Sequence, residues 1–162
     1  MSAERIIATL TASGQQVAVA ESLTGGLLCA ALIDPPGASV VVRGGIVAYR
    51  PEMKSRLLGV SAELIEERGT VCAEVATSLA RGVRDRMDAD WGVGTTGVAG
   101  PGPSEGRSQG TVFVAVIGPD GVAVAEELQL AGDRSQVRSG AVDAALSLLD
   151  ARLREHTEQH PR

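Results

Sequence analysis

The chain has 162 residues, of which 44% are hydrophobic, and a formal net charge of −5. This length is enough for one domain that buries about 70% of the surface of its unfolded chain. Its basic residues are scattered, which excludes a protein that binds nucleic acid through a stripe of Lys and Arg. No apolar run approaches the ~20 residues of a membrane-spanning helix, and residues 1–9 do not resemble a signal peptide. We therefore expect a cytoplasmic protein that binds neither nucleic acid nor membrane.

Helix and strand patterns alternate along the chain, as judged from apolar spacing and from Gly, Pro and capping residues. The first half predicts a helix at 3–12, a strand at 17–20, a helix from Thr24 to Leu32, a strand at 40–48 and a short helix beginning at Pro51. Within the strand at 40–48, Gly44-Gly45 indicates either a bulge or a close backbone approach. The second half predicts a helix capped by Ser61, a longer helix from Thr70 or Cys72 to Met87, a strand at 91–95, a hairpin of strands 111–117 and 122–130, and a last helix whose capping box is Asp133 with Gln136. This pattern indicates one α/β domain over residues 1–162, with parallel β-α-β units, an added hairpin and a frayed tail at 155–162.

Cysteine and histidine residues do not indicate a metal site. Cys29 and Cys72 have no Cys-x-x-Cys partners, which fits a reducing compartment without a disulfide framework. His156 and His160 have helical spacing, but no acidic or cysteine cluster surrounds them, so a solvated helix end is favoured over a zinc site.

Polar residues follow three of the predicted strands. Ser22, Tyr49 and Thr96 come after the first, second and third strands, and the carboxyl ends of parallel strands form the usual ligand site of an open α/β sheet. Ser22 lies on a strand-to-helix turn with glycines, where free N–H groups can stabilise an oxyanion. The alternative is that Ser22 only helps to cap the helix and that Glu21 is a solvated charge.

Lys54 is the only lysine in the chain and Tyr49 is the only tyrosine, whereas the other 14 cationic side chains are arginines. A lysine can lose its proton in a protein and an arginine cannot. The helix N-terminus and burial in a cleft should both lower the pKa of Lys54 towards a value suited to a general base. The alternative is an exposed helical lysine that pairs with an acid such as Glu52.

Two glycine segments require separate interpretations. Residues 92–97 match G-x-G-x-x-G, but the glycines fall inside a predicted strand and no helix follows, so a Rossmann dinucleotide site is rejected. The loop at 97–102 is rich in small residues that expose N–H groups, which favours an anion-binding wall of the site over a flexible surface loop.

The motifs AESLTGG at 20–26, PGAS at 36–39, GGIVAY at 44–49, KSRLLGV at 54–60 and TGVAGPG at 96–102 resemble the CinA C-terminal domain family, in order and over residues 4–153. The family includes amidases that convert nicotinamide mononucleotide and water to nicotinate mononucleotide and ammonia. The resemblance implies a three-layer α/β/α sandwich with a five-stranded mixed sheet. It also implies a stand-alone form, without the molybdopterin-binding-like domain of longer family members.

The resemblance assigns roles to individual residues. Ser22 becomes the nucleophile, and Lys54 and Tyr49 become the pair that handles protons. The substrate-binding residues that it implies are Glu21, Thr24, Gly25, Gly26, Thr96, Gly97, Gly100 and Gly102. We expect a small-molecule nucleotide substrate, no cofactor, no metal and a homo-oligomer.

Three features depart from the family pattern, and one of them, the loop at 103–109, bears on the identity of the substrate. Pro51 and Cys72 replace small polar residues, and 103–109 lacks the Pro-Val that often precedes the next strand. Two alternatives to the amidase remain open, namely a nucleotide-binding module without turnover and an amidase of another small amide.

Overall fold

The computed structural model describes residues 3–160 and contains one five-stranded sheet. The strand order is β2-β1-β3-β4-β5, in which β1 is parallel to both β2 and β3, whereas β4 and β5 are antiparallel to their neighbours. The strands are β1 (Val17–Glu21), β2 (Val42–Val47), β3 (Trp91–Gly97), β4 (Thr111–Ile117) and β5 (Ala123–Gln129). The predicted mixed sheet is confirmed.

Helices cover both faces of this sheet, which gives the expected three layers. They are α1 (Ala3–Ser13), α2 (Leu27–Ile33), α3 (Ala38–Val41), α4 (Pro51–Leu58), α5 (Ala62–Arg68), α6 (Ala73–Arg86) and α7 (Arg134–Gln159). Valines of β1, β3 and β4 pack with α1, α2 and α7 in one core, and the alternate residues Ala18, Ala20 and Phe113 face α4 and α6 on the other side. This alternation follows from the period of two along a strand. Among residues 3–160, no helix has the length and hydropathy needed to cross a membrane.

Strand β1, the middle one of the three parallel strands, marks the point where the strand order reverses. From β1 the chain first runs to β2 on one side of the sheet and then crosses to β3 on the other side. The segments that follow the carboxyl ends of these three parallel strands therefore meet at one edge of the sheet, as the sequence predicts.

Two predicted element boundaries are wrong. Val40 and Val41 belong to α3 and not to β2, because Gly37 at φ 90° begins a short helical turn there. Thr24 does not cap α2, which begins at Leu27 after Gly26 at φ 99°. Of the two readings offered for Gly44-Gly45, the bulge is observed one residue earlier, since the register with β1 passes from Val42 to Gly44 and leaves Arg43 unpaired.

The predicted caps at Ser61 and Asp133 are confirmed, because each side chain accepts a hydrogen bond from the backbone N–H three residues later. The segment for which fraying is expected is helical as far as Gln159. His156 contacts the ring edge of Trp91 with the centroids 5.5 Å apart, and it lies 3.3 Å from the amide nitrogen of Gln15. Residues 161 and 162 lie outside the described part of the chain.

Two of the three glycines of the G-x-G-x-x-G match, Gly92 and Gly94, allow β3 to pack closely against α6. A Cβ placed on Gly92 would collide with the carbonyl oxygen of Ala80, and one on Gly94 would collide with that of Ala76. The motif therefore reflects a close approach between strand and helix and not a dinucleotide site.

Gly92→Ala should lower the free energy of unfolding by about 3 kcal/mol, because neither backbone can move away without disturbing the core. Gly14→Ala is the matched control, since Gly14 has φ 65° and no atom within 4 Å of a built Cβ, so only the left-handed strain of about 1 kcal/mol applies. Urea titration of both variants measures the difference, and equal losses would contradict the close approach.

Candidate active site

Ser22 and Lys54 form a buried hydrogen-bonded pair at the sheet edge. Ser22 follows β1, Lys54 is the fourth residue of α4, and Lys54 Nζ lies 3.0 Å from Ser22 Oγ. Lys54 is 1% exposed and Ser22 is 7% exposed. The structure thus brings together the two residues that the sequence singles out for nucleophile and base.

Two backbone carbonyls fix the direction of the lysine amine. Nζ donates to the Ala48 oxygen at 2.7 Å and to the Tyr49 oxygen at 3.1 Å. A neutral amine has two N–H groups and one lone pair. When the two carbonyls take both N–H groups, the lone pair is left for the Ser22 hydroxyl, which is the arrangement a general base requires.

Burial lowers the pKa of Lys54 to about 8, and the negative charge of Glu105 opposes this shift. The dominant cause is the loss of water around the ammonium form, whereas the sequence suggested both burial and the helix terminus. A base with this pKa is neutral in a useful fraction of molecules near neutral pH.

The rate of a reaction that needs neutral Lys54 should rise with pH and level off above about 8. Glu105→Gln removes a charge that favours the ammonium form, so the pKa of Lys54 should fall and the midpoint should move to lower pH. Glu127→Gln, which changes an exposed carboxylate on β5, is the control with the same charge change. Profiles of kcat/KM against pH test this, and an unchanged midpoint in Glu105→Gln would contradict the electrostatic link.

The phenol of Tyr49 is not part of the Ser22–Lys54 pair. Its side chain is exposed, and its hydroxyl accepts a hydrogen bond of 3.2 Å from Arg134 Nη2. Within residues 3–160 no hydrogen bond joins this hydroxyl to Ser22 or Lys54. Tyr49 contacts the lysine through its carbonyl oxygen only, so the structure gives no support to a proton-transfer role for the phenol.

Buried side chains hold the turn at residues 22–26 in place. Glu21 is fully buried, and its carboxylate accepts hydrogen bonds from the N–H groups of Leu28 and Cys29 at 2.8 and 3.1 Å. Thr24 Oγ1 lies 2.9 Å from Thr95 Oγ1 and is also fully buried. Glu21 caps α2, because the first N–H groups of a helix lack partners within the helix. The structure therefore places the Glu21 and Thr24 side chains beneath the turn and not among the residues that line the cavity.

The glycines of this turn also lie outside the cavity. Gly25 and Gly26 have φ of 56° and 99°, which gives the chain the left-handed conformation that the turn requires. Arg138 of α7 holds the turn in place by donating hydrogen bonds to the carbonyl oxygens of Leu23 and Thr24. Both glycines shape the turn. Contrary to the sequence-based expectation, neither is among the residues that line the cavity.

A cavity of about 370 Å³ opens in front of Ser22. The residues that line it are Ser22, Leu23, Tyr49, Pro51, Thr70, Val71, Arg134 and those at 97–105. Gly97, Gly100 and Gly102 are among them, as expected. Thr96 is not, because its buried hydroxyl donates to the Thr70 oxygen at 2.7 Å. Residues 3–160 contain no cluster of three His, Cys, Asp or Glu side chains suited to a metal ion.

The model of the CinA C-terminal domain matches residues 1–153. The chain belongs to this family. A CinA-like protein of Frankia casuarinae is 45% identical over 144 residues, which are 89% of this chain and 33% of that protein. A putative competence-damage inducible protein of Desulforamulus reducens is 45% identical over 136 residues, or 84% of this chain and 33% of the relative. The chain thus spans about a third of the length of these curated relatives.

Solved structures of the same family share the fold over nearly their whole length. The competence/damage inducible protein CihA of Agrobacterium tumefaciens has a TM-score of 0.89 and 36% identity, with 92% of each chain covered. A CinA superfamily protein of Klebsiella pneumoniae has a TM-score of 0.91 and 29% identity, with 94% of this chain and 96% of that chain covered. The three-layer architecture is therefore that of the CinA C-terminal domain.

Two charged residues that line the cavity, Arg134 and Glu105, were not identified from the sequence. Arg134 opens α7, and its Nη1 donates to the Gly100 oxygen at 2.6 Å. Glu105 lies in the tight turn at 104–107 and accepts hydrogen bonds from Thr70. Arg134 lies 112 positions after Ser22 in the sequence and next to a helix cap, so no local pattern connects it with the site.

Proposed function

We propose that this chain hydrolyses the carboxamide of nicotinamide mononucleotide to nicotinate mononucleotide and ammonia. The observation that carries the proposal is the 3.0 Å contact between Ser22 Oγ and a buried lysine whose pKa is lowered to about 8. A serine nucleophile with a lysine as its general base is a known variant of the catalytic groups that enzymes use for acyl transfer. Membership of the CinA C-terminal domain family supports an amide substrate.

In the first half of the reaction, Ser22 Oγ attacks the carboxamide carbon while Lys54 Nζ takes the hydroxyl proton. Lys54 then gives that proton to the amide nitrogen, the C–N bond breaks, and ammonia leaves an acyl ester on Ser22. In the second half, Lys54 takes a proton from water as the water oxygen attacks the ester. The proton returns to Ser22 Oγ as the Oγ–C bond breaks, so the net reaction consumes one water, and these steps need no metal or cofactor.

Two backbone N–H groups on the wall of the Ser22 cavity suit the oxyanion of the tetrahedral intermediate. The N–H groups of Leu23 and Ala99 have no hydrogen-bond partner among residues 3–160, and both residues line the cavity. An unpaired donor next to the nucleophile stabilises negative charge as it develops on the carbonyl oxygen. These two groups are our candidates for that role.

Arg134 is the candidate partner of the substrate phosphate. The sequence favoured N–H groups of the glycine loops, but Gly102 N–H donates to Gln109 Oε1, and the first N–H groups of α2 are occupied by Glu21. Arg134 instead supplies a positive charge on the cavity wall. A guanidinium is well suited to phosphate because its donors form a planar fork.

The alternative of a binding module without turnover explains less of the site. Burying a lysine beside a serine destabilises its charged form, and binding alone gives no reason for that arrangement. The alternative of another small amide keeps the same mechanism and changes only what occupies the rest of the cavity.

Ammonia release from nicotinamide mononucleotide and from free nicotinamide tests the substrate. We expect kcat/KM to favour the nucleotide at least about 100-fold, or roughly 2.7 kcal/mol. Arg134→Gln should remove most of this preference, whereas Arg81→Gln on the exposed surface of α6 should keep it. Comparable hydrolysis of the two amides by the unmodified chain would overturn the nucleotide assignment, and a full preference in Arg134→Gln would overturn the role of Arg134.

A further inference from the structure

The cavity carries two opposite charges that do not neutralise each other. Glu105 and Arg134 are the only charged side chains that line it in the part of the chain that the structure describes. No ion pair joins them within that part. Glu105 is bonded to Thr70, and Arg134 is bonded to Tyr49 and Gly100.

The carboxylate of Glu105 is fixed in place without a cation. Oε2 accepts hydrogen bonds from Thr70 N–H at 3.0 Å and from Thr70 Oγ1 at 2.8 Å. The backbone of Glu105 is in the left-handed region at φ 52°, in a turn closed by the pairing of Ser104 with Arg107. None of the described Lys, Arg or His side chains lies within ion-pair distance, and the Arg107 guanidinium is 5.6 Å from the Phe113 ring centroid instead.

A fixed negative charge is unfavourable in a cavity that receives only an anion. It becomes favourable when the ligand also carries a positive charge. The substrate proposed above has both charges, because its nicotinamide ring is a pyridinium cation and its ribose carries a phosphate. The ring must lie beside Ser22 for its carboxamide to react, and Glu105 lines the same cavity.

We propose that Glu105 recognises the positive charge of the pyridinium ring and so selects cationic over neutral ring amides. This inference rests on the proposed function and adds to it a residue that determines specificity. In this arrangement Arg134 attracts the phosphate and Glu105 attracts the ring. The two charges therefore orient the nucleotide with its carboxamide at the serine.

A purely structural role for Glu105 must be distinguished from recognition of charge. Its hydrogen bonds to Thr70 also hold the turn at 104–107, which forms part of the cavity wall. A variant that loosens this turn would lower the affinity for every ligand of the cavity. The matched probe is benzamide mononucleotide, in which a ring carbon replaces the pyridinium nitrogen and the ring is neutral. A loosened wall affects both nucleotides, whereas a lost charge affects only the cationic one.

Dissociation constants of both nucleotides should be measured by calorimetry in a Ser22→Ala background, where neither can be hydrolysed through the serine. We expect nicotinamide mononucleotide to bind about fivefold more tightly than the benzamide analogue, as one partly exposed charge pair allows. Adding Glu105→Gln should remove this preference, because it lowers the affinity for the cationic nucleotide only. Adding Glu127→Gln, with the same change of net charge, should leave the preference intact.

Equal affinities in the Ser22→Ala background, or equal weakening of both nucleotides by Glu105→Gln, would overturn the recognition of charge. The proposed function has a separate readout in ammonia release by the unmodified chain. Hydrolysis of nicotinamide mononucleotide without a preference for the cationic ring would reject the role of Glu105 alone. Neither hydrolysis nor binding of that nucleotide would reject both proposals.

Discussion

Ser22→Ala should lower kcat for carboxamide hydrolysis by at least about a thousandfold, because it removes the atom that forms the acyl ester in the proposed mechanism. The fold should be little affected. Glu21 and Arg138 hold the turn through other atoms, and among the described residues the Ser22 hydroxyl is hydrogen-bonded to Lys54 alone. Ammonia release and the midpoint of thermal unfolding measure the two effects.

Ser61→Ala is the matched control for this experiment. The Ser61 hydroxyl accepts a hydrogen bond from Leu64 N–H at the start of α5, away from the cavity. Its loss should cost about 1 kcal/mol of stability and leave kcat unchanged. Turnover by Ser22→Ala within tenfold of the unmodified chain would reject Ser22 as the nucleophile.

Lys54→Arg should lose activity nearly as fully as removal of the amine. A guanidinium keeps the positive charge but does not deprotonate, so it cannot accept the proton of Ser22. It is also larger and planar, whereas the present amine fits between the Ala48 and Tyr49 oxygens. We expect kcat to fall at least about a hundredfold, the lower range for loss of a general base.

Lys54→Met provides the comparison that separates charge from proton transfer. Methionine keeps an unbranched buried chain but leaves the Ala48 and Tyr49 oxygens without their donor, so the free energy of unfolding should fall by about 1–3 kcal/mol. Both variants should be inactive if Lys54 is a base. If Lys54→Arg retained most of the rate while Lys54→Met did not, the lysine would act through its charge alone.

Strong local patterns allowed most of the fold to be predicted from the sequence. The strand at 111–117 is confirmed at both ends, because it is a continuous apolar run bounded by turn residues. The boundaries of β2 and α2 were wrong, because glycines at 26 and 37 begin turns whose direction depends on tertiary contacts. Propensity does not reveal such contacts.

The candidate site was predictable where one residue was unusual by itself. A single lysine among arginines drew attention to Lys54, and a serine on a glycine-rich turn drew attention to Ser22. The role of Glu21 could not be inferred in the same way, because its carboxylate reaches N–H groups seven and eight residues ahead. The direction of the Tyr49 phenol depends on Arg134, which lies 85 residues away.

The measurement that tests the central claim most directly is the stoichiometry of products formed from nicotinamide mononucleotide by the purified chain. Our account predicts one ammonia and one nicotinate mononucleotide for each nucleotide consumed, over many turnovers and with a rate that rises as Lys54 loses its proton near pH 8. Binding of the nucleotide without release of ammonia at any pH between 6 and 9, from about two units below that pKa to about one unit above it, would contradict it. That result would identify the cavity as a nucleotide-binding site without turnover.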